Sequence, residues 1–417
     1  MMRWLRTLPL VVVALLAVAG AEAADLPKIF DLAVGDPARR EKYSTVAPDV
    51  IVDTTRGDTI TPDVVAARLD GVQVVLIGET HTSREFHRVQ ARMTRALQAR
   101  GRKVIIGLEM FPAPEQPSLD AWNQRLYSEE GFVKLARWYE HWGYNWQLYR
   151  EIFLHARDNG MPMYAVNGPR DVVAAVRRKG YAGLTDDEKK FLPPAIQYDD
   201  ADHLTVFKAA IGDGDAAHGM TADAWKSMAA SQTTWDGAMA WHSFKALERH
   251  PDPKSIVVIL VGSGHVIYGV GIERQLKAWF KGGIASIVPV PAQTDDGTAI
   301  PQVRSSYANF VWGLPKDDSA PYPRLGISTR SSGPADGQRE IIMIEPDSIG
   351  ARAGFKVKDV LVSLDGHSIV DREVFMRLMS VKEWGDGASF VVKRGEEQVT
   401  IPVVFTRTPA RTDGGAK

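Results

Sequence analysis

Residues 72–81 read VQVVLIGETH, and this stretch decides the fold. An apolar run, residues 72–78, passes without polar alternation into Glu79-Thr80-His81. A run of this kind marks a strand covered on both faces, as in a parallel sheet. Three later stretches repeat it. Residues 103–108 (KVIIGL) lead to Glu109, and residues 161–166 (MPMYAV) lead to Asn167-Gly168-Pro169-Arg170. Residues 255–261 (SIVVILV) lead to Gly262-Ser263-Gly264-His265. In open parallel sheets ligands bind beyond the carboxyl ends of the strands. Parallel neighbours would bring Glu79, His81, Glu109, Arg170 and His265 to one crevice.

Between these strands the pattern is helical. Thr61-Pro62-Asp63 opens a short helix, and Ser83 caps another whose apolar stripe is Phe86, Val89, Met93 and Leu97. Residues 118–159 and 185–250 read as helical insertions, and residues 284–290 offer a fifth strand. The expectation is an α/β domain over residues 45–290: a mostly parallel sheet flanked by helices, with a helical insertion. Residues 291–321 are rich in Asp, Gly, Ser and Pro and read as a semi-rigid linker. Residues 322–407 switch to short strands with one amphipathic helix, a small β-rich domain.

Composition narrows the function. The 417 residues carry 50 Lys and Arg against 51 Asp and Glu, which points to no nucleic-acid surface. There is no cysteine, so disulfides, thiolate-bound metals, thiol nucleophiles and a lipid-modified cysteine are excluded. Residues 1–23 read as a signal peptide: Arg3 and Arg6, a short apolar stretch, then Ala21-Glu22-Ala23. No other run approaches the length of a membrane span. The expectation is an exported chain, periplasmic or extracellular, that does not span the membrane.

The crevice residues admit two chemistries. Glu79, His81, Glu109 and His265 suit a divalent metal with an open position, or general acid/base work in a hydrolase. Arg170 can pair with a carboxylate, either a ligand's or that of Glu109 or Asp171. A second constellation is Trp138-Tyr139-Glu140-His141-Trp142-Gly143-Tyr144-Asn145-Trp146. Its plain reading is a helix corner filling the core edge. Its sharper reading is a flat apolar wall, including Trp142, for a planar ligand, with Tyr144 or His141 able to reach iron. His87 and His203 read as solvated or packed, and Asp213, Asp215 and His218 as a polar loop.

Two resemblances follow from these motifs. Ile77-Gly78-Glu79-Thr80-His81, Gly107-Leu108-Glu109-Met110-Phe111, the aromatic run, Asn167–Arg170 and Val261–His265 together resemble the ChaN family, in the superfamily that contains Tiki, TraB and erythromycin-esterase proteins. The resemblance implies haem as cofactor, haem-iron uptake and a homodimer with haems stacked between subunits. His81, Trp142, Tyr144, Arg170 and His265 are then the expected haem contacts, with Tyr144 first as axial ligand. The superfamily equally implies a peptidase or esterase acting through the Glu/His cluster. Arg324-Leu325-Gly326-Ile327, Ala353-Gly354-Phe355 and Leu364-Asp365-Gly366 resemble a bacterial PDZ domain. That implies capture of a protein C-terminus or extended peptide, with Leu325, Gly326 and Ile327 as carboxylate loop and Ser328 on the pairing strand.

Overall fold

The computed structural model describes residues 26–212, 219–294, 297–316, 322–332 and 338–407. The expected leader and the loop bearing Asp213, Asp215 and His218 lie outside the described residues.

Three short strands come first: β1 (Tyr43–Thr45), β2 (Ile51–Asp53) and β3 (Asp58–Ile60). Helix α1 (Pro62–Arg68) leads into β4 (Val72–Glu79), and α2 (Arg84–Ala99) into β5 (Lys103–Pro112). Four helices, α3 (Gln116–Asn123), α4 (Glu129–Leu135), α5 (Trp138–His141) and α6 (Trp146–Asp158), precede β6 (Met163–Asn167). Another four, α7 (Arg170–Lys179), α8 (Asp186–Lys189), α9 (Ala201–Ile211) and the long α10 (Ala222–Glu248), precede β7 (Ser255–Gly262). Helix α11 (Ile272–Leu276) then gives β8 (Gly283–Pro291), β9 (Gln302–Arg304) and β10 (Phe310–Leu314).

The sheet order is β3-β2-β10-β8-β4-β7-β5-β6, and every pairing from β10 to β6 is parallel. The expected mostly parallel sheet is therefore present. The chain lays down β4, skips a place to β5, continues to β6, and returns through α10 to insert β7 in the gap. That return sets Gly262 beside Glu79 in register and brings residues 262–265 between the ends of β4 and β5. Alternate strand residues feed two cores. Val75, Ile77, Ile106 and Leu108 face α2 and the α3–α6 insertion, while Val74, Leu76, Ile105 and Val257 face α10 and α11. Each buried Val, Leu or Ile contributes roughly 1.5–3 kcal/mol, which explains strands without polar alternation.

The domain is longer than 45–290, and part of the expected linker is sheet. Strand β10 inserts between β8 and β2, with Phe310, Val311, Trp312 and Leu314 all buried. Near the N-terminus Leu32 and Val34 join the second core, and β1 pairs with β9.

The C-terminal domain is antiparallel. Its strands are β11 (Ile327–Ser332), β12 (Gln338–Ile344), β13 (Val360–Leu364), β14 (His367–Ser368), β15 (Gly387–Arg394) and β16 (Glu397–Val404). They run in the order β11-β12-β13-β15-β16, with β14 on β13. Helices α12 (Ile349–Ala353) and α13 (Arg372–Ser380) cover a core centred on Phe355, Phe375 and Phe390. The two domains touch rather than being held apart by a spacer: Tyr322 and Met376 pack against the first domain's core. Among the described residues no helix is long and apolar enough to cross a membrane.

Candidate functional site

The four strand ends do meet. A cleft of about 740 Å³ opens beyond them, lined among others by Glu109, His141, Trp142, Arg170, Trp235 and His265. That lies in the range of small-molecule sites, about 300–1,000 Å³. His81 and Tyr144 border it through Trp142, with ring centroids 4.7 Å (His81–Trp142), 4.9 Å (His81–Tyr144) and 5.3 Å (Trp142–Tyr144) apart.

Two carboxylate–imidazole pairs lie at this end of the sheet: Glu109 and His265 line the cleft, while Glu79 and His81 stand next to it, with the His81 ring against Trp142. Glu79 is buried at the end of β4, and its Oε1 lies 2.7 Å from His81 Nδ1. The Tyr149 hydroxyl donates to the same oxygen at 2.7 Å, and Gln90 Nε2 donates to Oε2 at 2.7 Å. Burial opposes charge on Glu79, but the imidazoles of His87 and His81 outweigh it and hold the carboxyl below its usual range. Burial likewise opposes charge on His81, yet Glu79 and Glu109 raise its pKa above the usual value. The second pair is Glu109 with His265. Glu109 Oε2 accepts from the Gly262 amide at 2.7 Å, and Oε1 lies 3.4 Å from His265 Nε2. His265 Nδ1 lies 2.6 Å from Asp236 Oδ1, and the other oxygen of Asp236 is 3.2 Å from His203 Nε2. Against the cost of burial, Asp236 and Glu109 push His265 up to about 10.

These partners use much of the cluster's coordinating capacity. Among the described residues no group of three or more His, Asp or Glu is arranged to hold a metal ion. The divalent-metal set of Glu79, His81, Glu109 and His265 gains no support here: the side chains stand as hydrogen-bonded pairs around separate buried partners. Both ring nitrogens of His265 are engaged, so it lines the cleft without offering a free lone pair. His81 Nε2 and the Tyr144 hydroxyl, in contrast, have no hydrogen-bond partner among the described residues.

The aromatic run divides. Trp138, Tyr139, Trp146 and Tyr149 are buried in the core, as its plain reading has it, whereas Trp142, half-buried, lines the cleft and Tyr144, also half-buried, packs against Trp142. The Trp142 indole nitrogen is buried without a hydrogen-bond partner among the described residues. Arg170 makes no ion pair with Glu109 or Asp171; it donates to the His141 carbonyl at 2.7 Å and remains exposed at the cleft mouth. His141 Nε2 stands 3.2 Å from Glu115 Oε1, and burial lowers the pKa of its ring. Apolar walls (Trp142, Trp235, Met110), free donor atoms and a cation at the rim fit a planar, anionic, iron-bearing group such as haem.

Sequence reading missed Asp236, Gln90, Tyr149 and Gln232, the last of which lines the cleft with its Nε2 3.0 Å from His265 Nδ1. Gln90 carried a signal, being polar beside the apolar stripe of α2; Asp236 carried one as an acid next to the small residues Gly237, Ala238 and Ala240. His87 and His203 are buried, each bonded within this network.

In the second domain Leu325 and Gly326 turn into the edge strand β11. Gly326 has φ +70, and a Cβ there would stand 2.4 Å from Ser348 Cβ, so the turn requires glycine. The carbonyls of Leu325 and Gly326 accept from Gly350 and Glu345, while their own amides donate to no described residue. Ile327 and Ser328 begin β11, whose outer edge has no strand partner among the described residues.

Comparison with known proteins agrees with this division. Residues 65–276 match the model of the haem-binding uptake family, Tiki superfamily, ChaN, and residues 323–404 match the PDZ domain. Among solved structures, one of cofacial haem binding to ChaN of Campylobacter jejuni is 17% identical. It covers 63% of this chain and 95% of that one, with a TM-score of 0.47. An HtrA-type protease, AlgW with tripeptide, is 22% identical over 23% of this chain and 34% of its own, with a TM-score of 0.20. The chloroplastic protein RETICULATA-RELATED 5 of Arabidopsis thaliana is 28% identical over 136 residues, 31% of this chain. The chain spans only 18% of that relative's length. With more than half its length inside the family model, the chain belongs to the haem-binding uptake family of the Tiki superfamily that includes ChaN, and it carries a C-terminal PDZ domain.

Proposed function

We propose that this protein binds haem in the cleft beyond β4, β5, β6 and β7, acts outside the cytoplasm in haem or iron uptake, and uses its PDZ domain to recruit a protein partner. The observation that carries this is the half-buried Trp142–Tyr144 wall beside His81, with donor atoms that no described residue satisfies. Haem, when bound, would supply an apolar macrocycle, two propionates and an iron. Trp142 and Trp235 offer apolar surface to the macrocycle, and Arg170 at the rim offers a guanidinium for a propionate. Tyr144 is the first candidate iron ligand, with His81 Nε2 and His141 as the alternatives. Glu79 fixes which nitrogen of His81 is presented to the cleft. Export, the partner's extended C-terminus on β11, and a homodimer complete the proposal.

A hydrolase is the second reading. It is favoured by one observation: two carboxylate–imidazole pairs at the same end of the sheet, one of them lining the cleft. Reconstitution separates the two. The full chain incubated with haemin and passed through gel filtration should elute with haem at fixed stoichiometry, at the mass of a dimer. Elution free of haem, together with ester or peptide hydrolysis that is lost in Glu109→Gln, would favour the hydrolase.

A further inference from the structure

The segment that walls the cleft is held from behind by the PDZ domain. Helix α13 turns Arg372, Met376 and Ser380, at successive turns, towards α5 and α6. Arg372 Nη1 donates to the Tyr139 carbonyl at 3.3 Å, and Gln147 Nε2 donates to the Ser380 carbonyl at 2.7 Å. Met376 packs against the cores of both domains. Between these two ties run Trp142, Gly143 and Tyr144. Gly143 has φ +84, and a Cβ built on it would stand 3.4 Å from Arg372 Nη1. Trp142 and Tyr144 rest in turn against the His81 ring. A continuous line of contacts therefore joins α13 to the cleft, and α13 is the helix that the PDZ pattern sets across the peptide groove from β11.

We infer that Arg372 and Gln147, through the α13 contact, position the Trp142–Tyr144 wall, so that occupancy of the haem cleft and of the PDZ groove are linked through one helix. The inference rests on the haem reading above. Such linkage is reciprocal: a ligand that shifts α13 alters the cleft, and a ligand in the cleft alters α13.

The test uses the full chain as wild type, Arg372→Ala, Arg372→Lys and the double variant Arg372→Ala/Gln147→Ala. Each is titrated with haemin, and amide hydrogen exchange is followed with and without it. The double variant should bind haemin about tenfold more weakly, with an altered Soret band, while Arg372→Lys keeps the wild-type spectrum. Residues 139–145 should exchange faster in the double variant even without haemin, and haemin should slow exchange in α13 and β11 of the wild type. Equal exchange over residues 139–145 in wild type and double variant overturns the inference whether or not haemin binds. So does haemin binding with the same affinity and spectrum in every variant. A wild type that takes up no haemin, with faster exchange in the double variant, sinks the haem reading and leaves the positioning role supported.

Discussion

Glu79 and His81 form a 2.7 Å carboxylate–imidazole pair in which the carboxylate is withdrawn from solvent and the part-exposed imidazole lies against Trp142 of the cleft wall. The pair gives the site its direction. Tyr149 and Gln90 satisfy the rest of Glu79, so its charge acts on His81 in a medium that screens it weakly.

Glu79→Gln tests that arrangement. The amide must turn a donor towards Gln90 Nε2 or towards His81 and Tyr149, which are donors themselves. The lost and opposed bonds should cost roughly 1–3 kcal/mol, read as a lower urea midpoint. The His81 pKa should fall with it in an NMR titration. A His81 titration unchanged from wild type would show that Glu79 does not control it.

His265 predicts a pH dependence. It titrates at about 10 in the folded chain against 6.5 for the free side chain. Its protonation therefore stabilises the fold fully below about pH 6.5, and this contribution is lost as pH rises through about 10. Urea midpoints measured from pH 6 to pH 10 should fall in the wild type and fall less steeply in His265→Gln. Parallel curves would remove His265 as the source.

Gly326 predicts a domain-specific defect. Gly326→Ala places a Cβ against Ser348 at a backbone angle that L-residues rarely adopt. The PDZ domain should lose more than about 1 kcal/mol, seen as an earlier transition for that domain in calorimetry. Haemin uptake below that transition should survive, because neither the α/β cores nor the α13 contact includes this loop.

Strand β10 predicts where the chain can be cut. Truncation after Lys316 retains Trp312 and the whole eight-stranded sheet, whereas truncation after Ile300 exposes the edge of β8 and detaches the β2–β3 pair from it. The longer fragment should fold and the shorter one should aggregate or lose cooperative unfolding. Equal stability of the two fragments would contradict the sheet order.

The legible parts of this molecule are those in which local pattern and tertiary role coincide. Strands β4, β5 and β7 are buried on both faces, so their apolar runs announce them, and Glu79, Glu109 and His265 follow at their ends. Strand β10 was hidden because FVWGL is short, sits among polar turns, and pairs with strands distant in sequence. Asp236 was hidden because its meaning depends on α10 packing over β7, which brings it 29 positions along the chain to His265. The α13 contact was hidden for a related reason: Arg372 and Ser380 have the polarity of a solvated face, and only the docked domain shows what they touch.

The most direct test of the central claim is a haemin titration of the full chain beside Trp142→Ala and Tyr144→Phe, followed in the Soret and charge-transfer bands. The wild type should saturate at fixed stoichiometry. Trp142→Ala should bind about tenfold more weakly, a loss of about 1.4 kcal/mol, and Tyr144→Phe should alter the charge-transfer bands while the fold persists. No spectral change in the wild type at micromolar protein, or three identical titrations, would contradict a haem site at this wall.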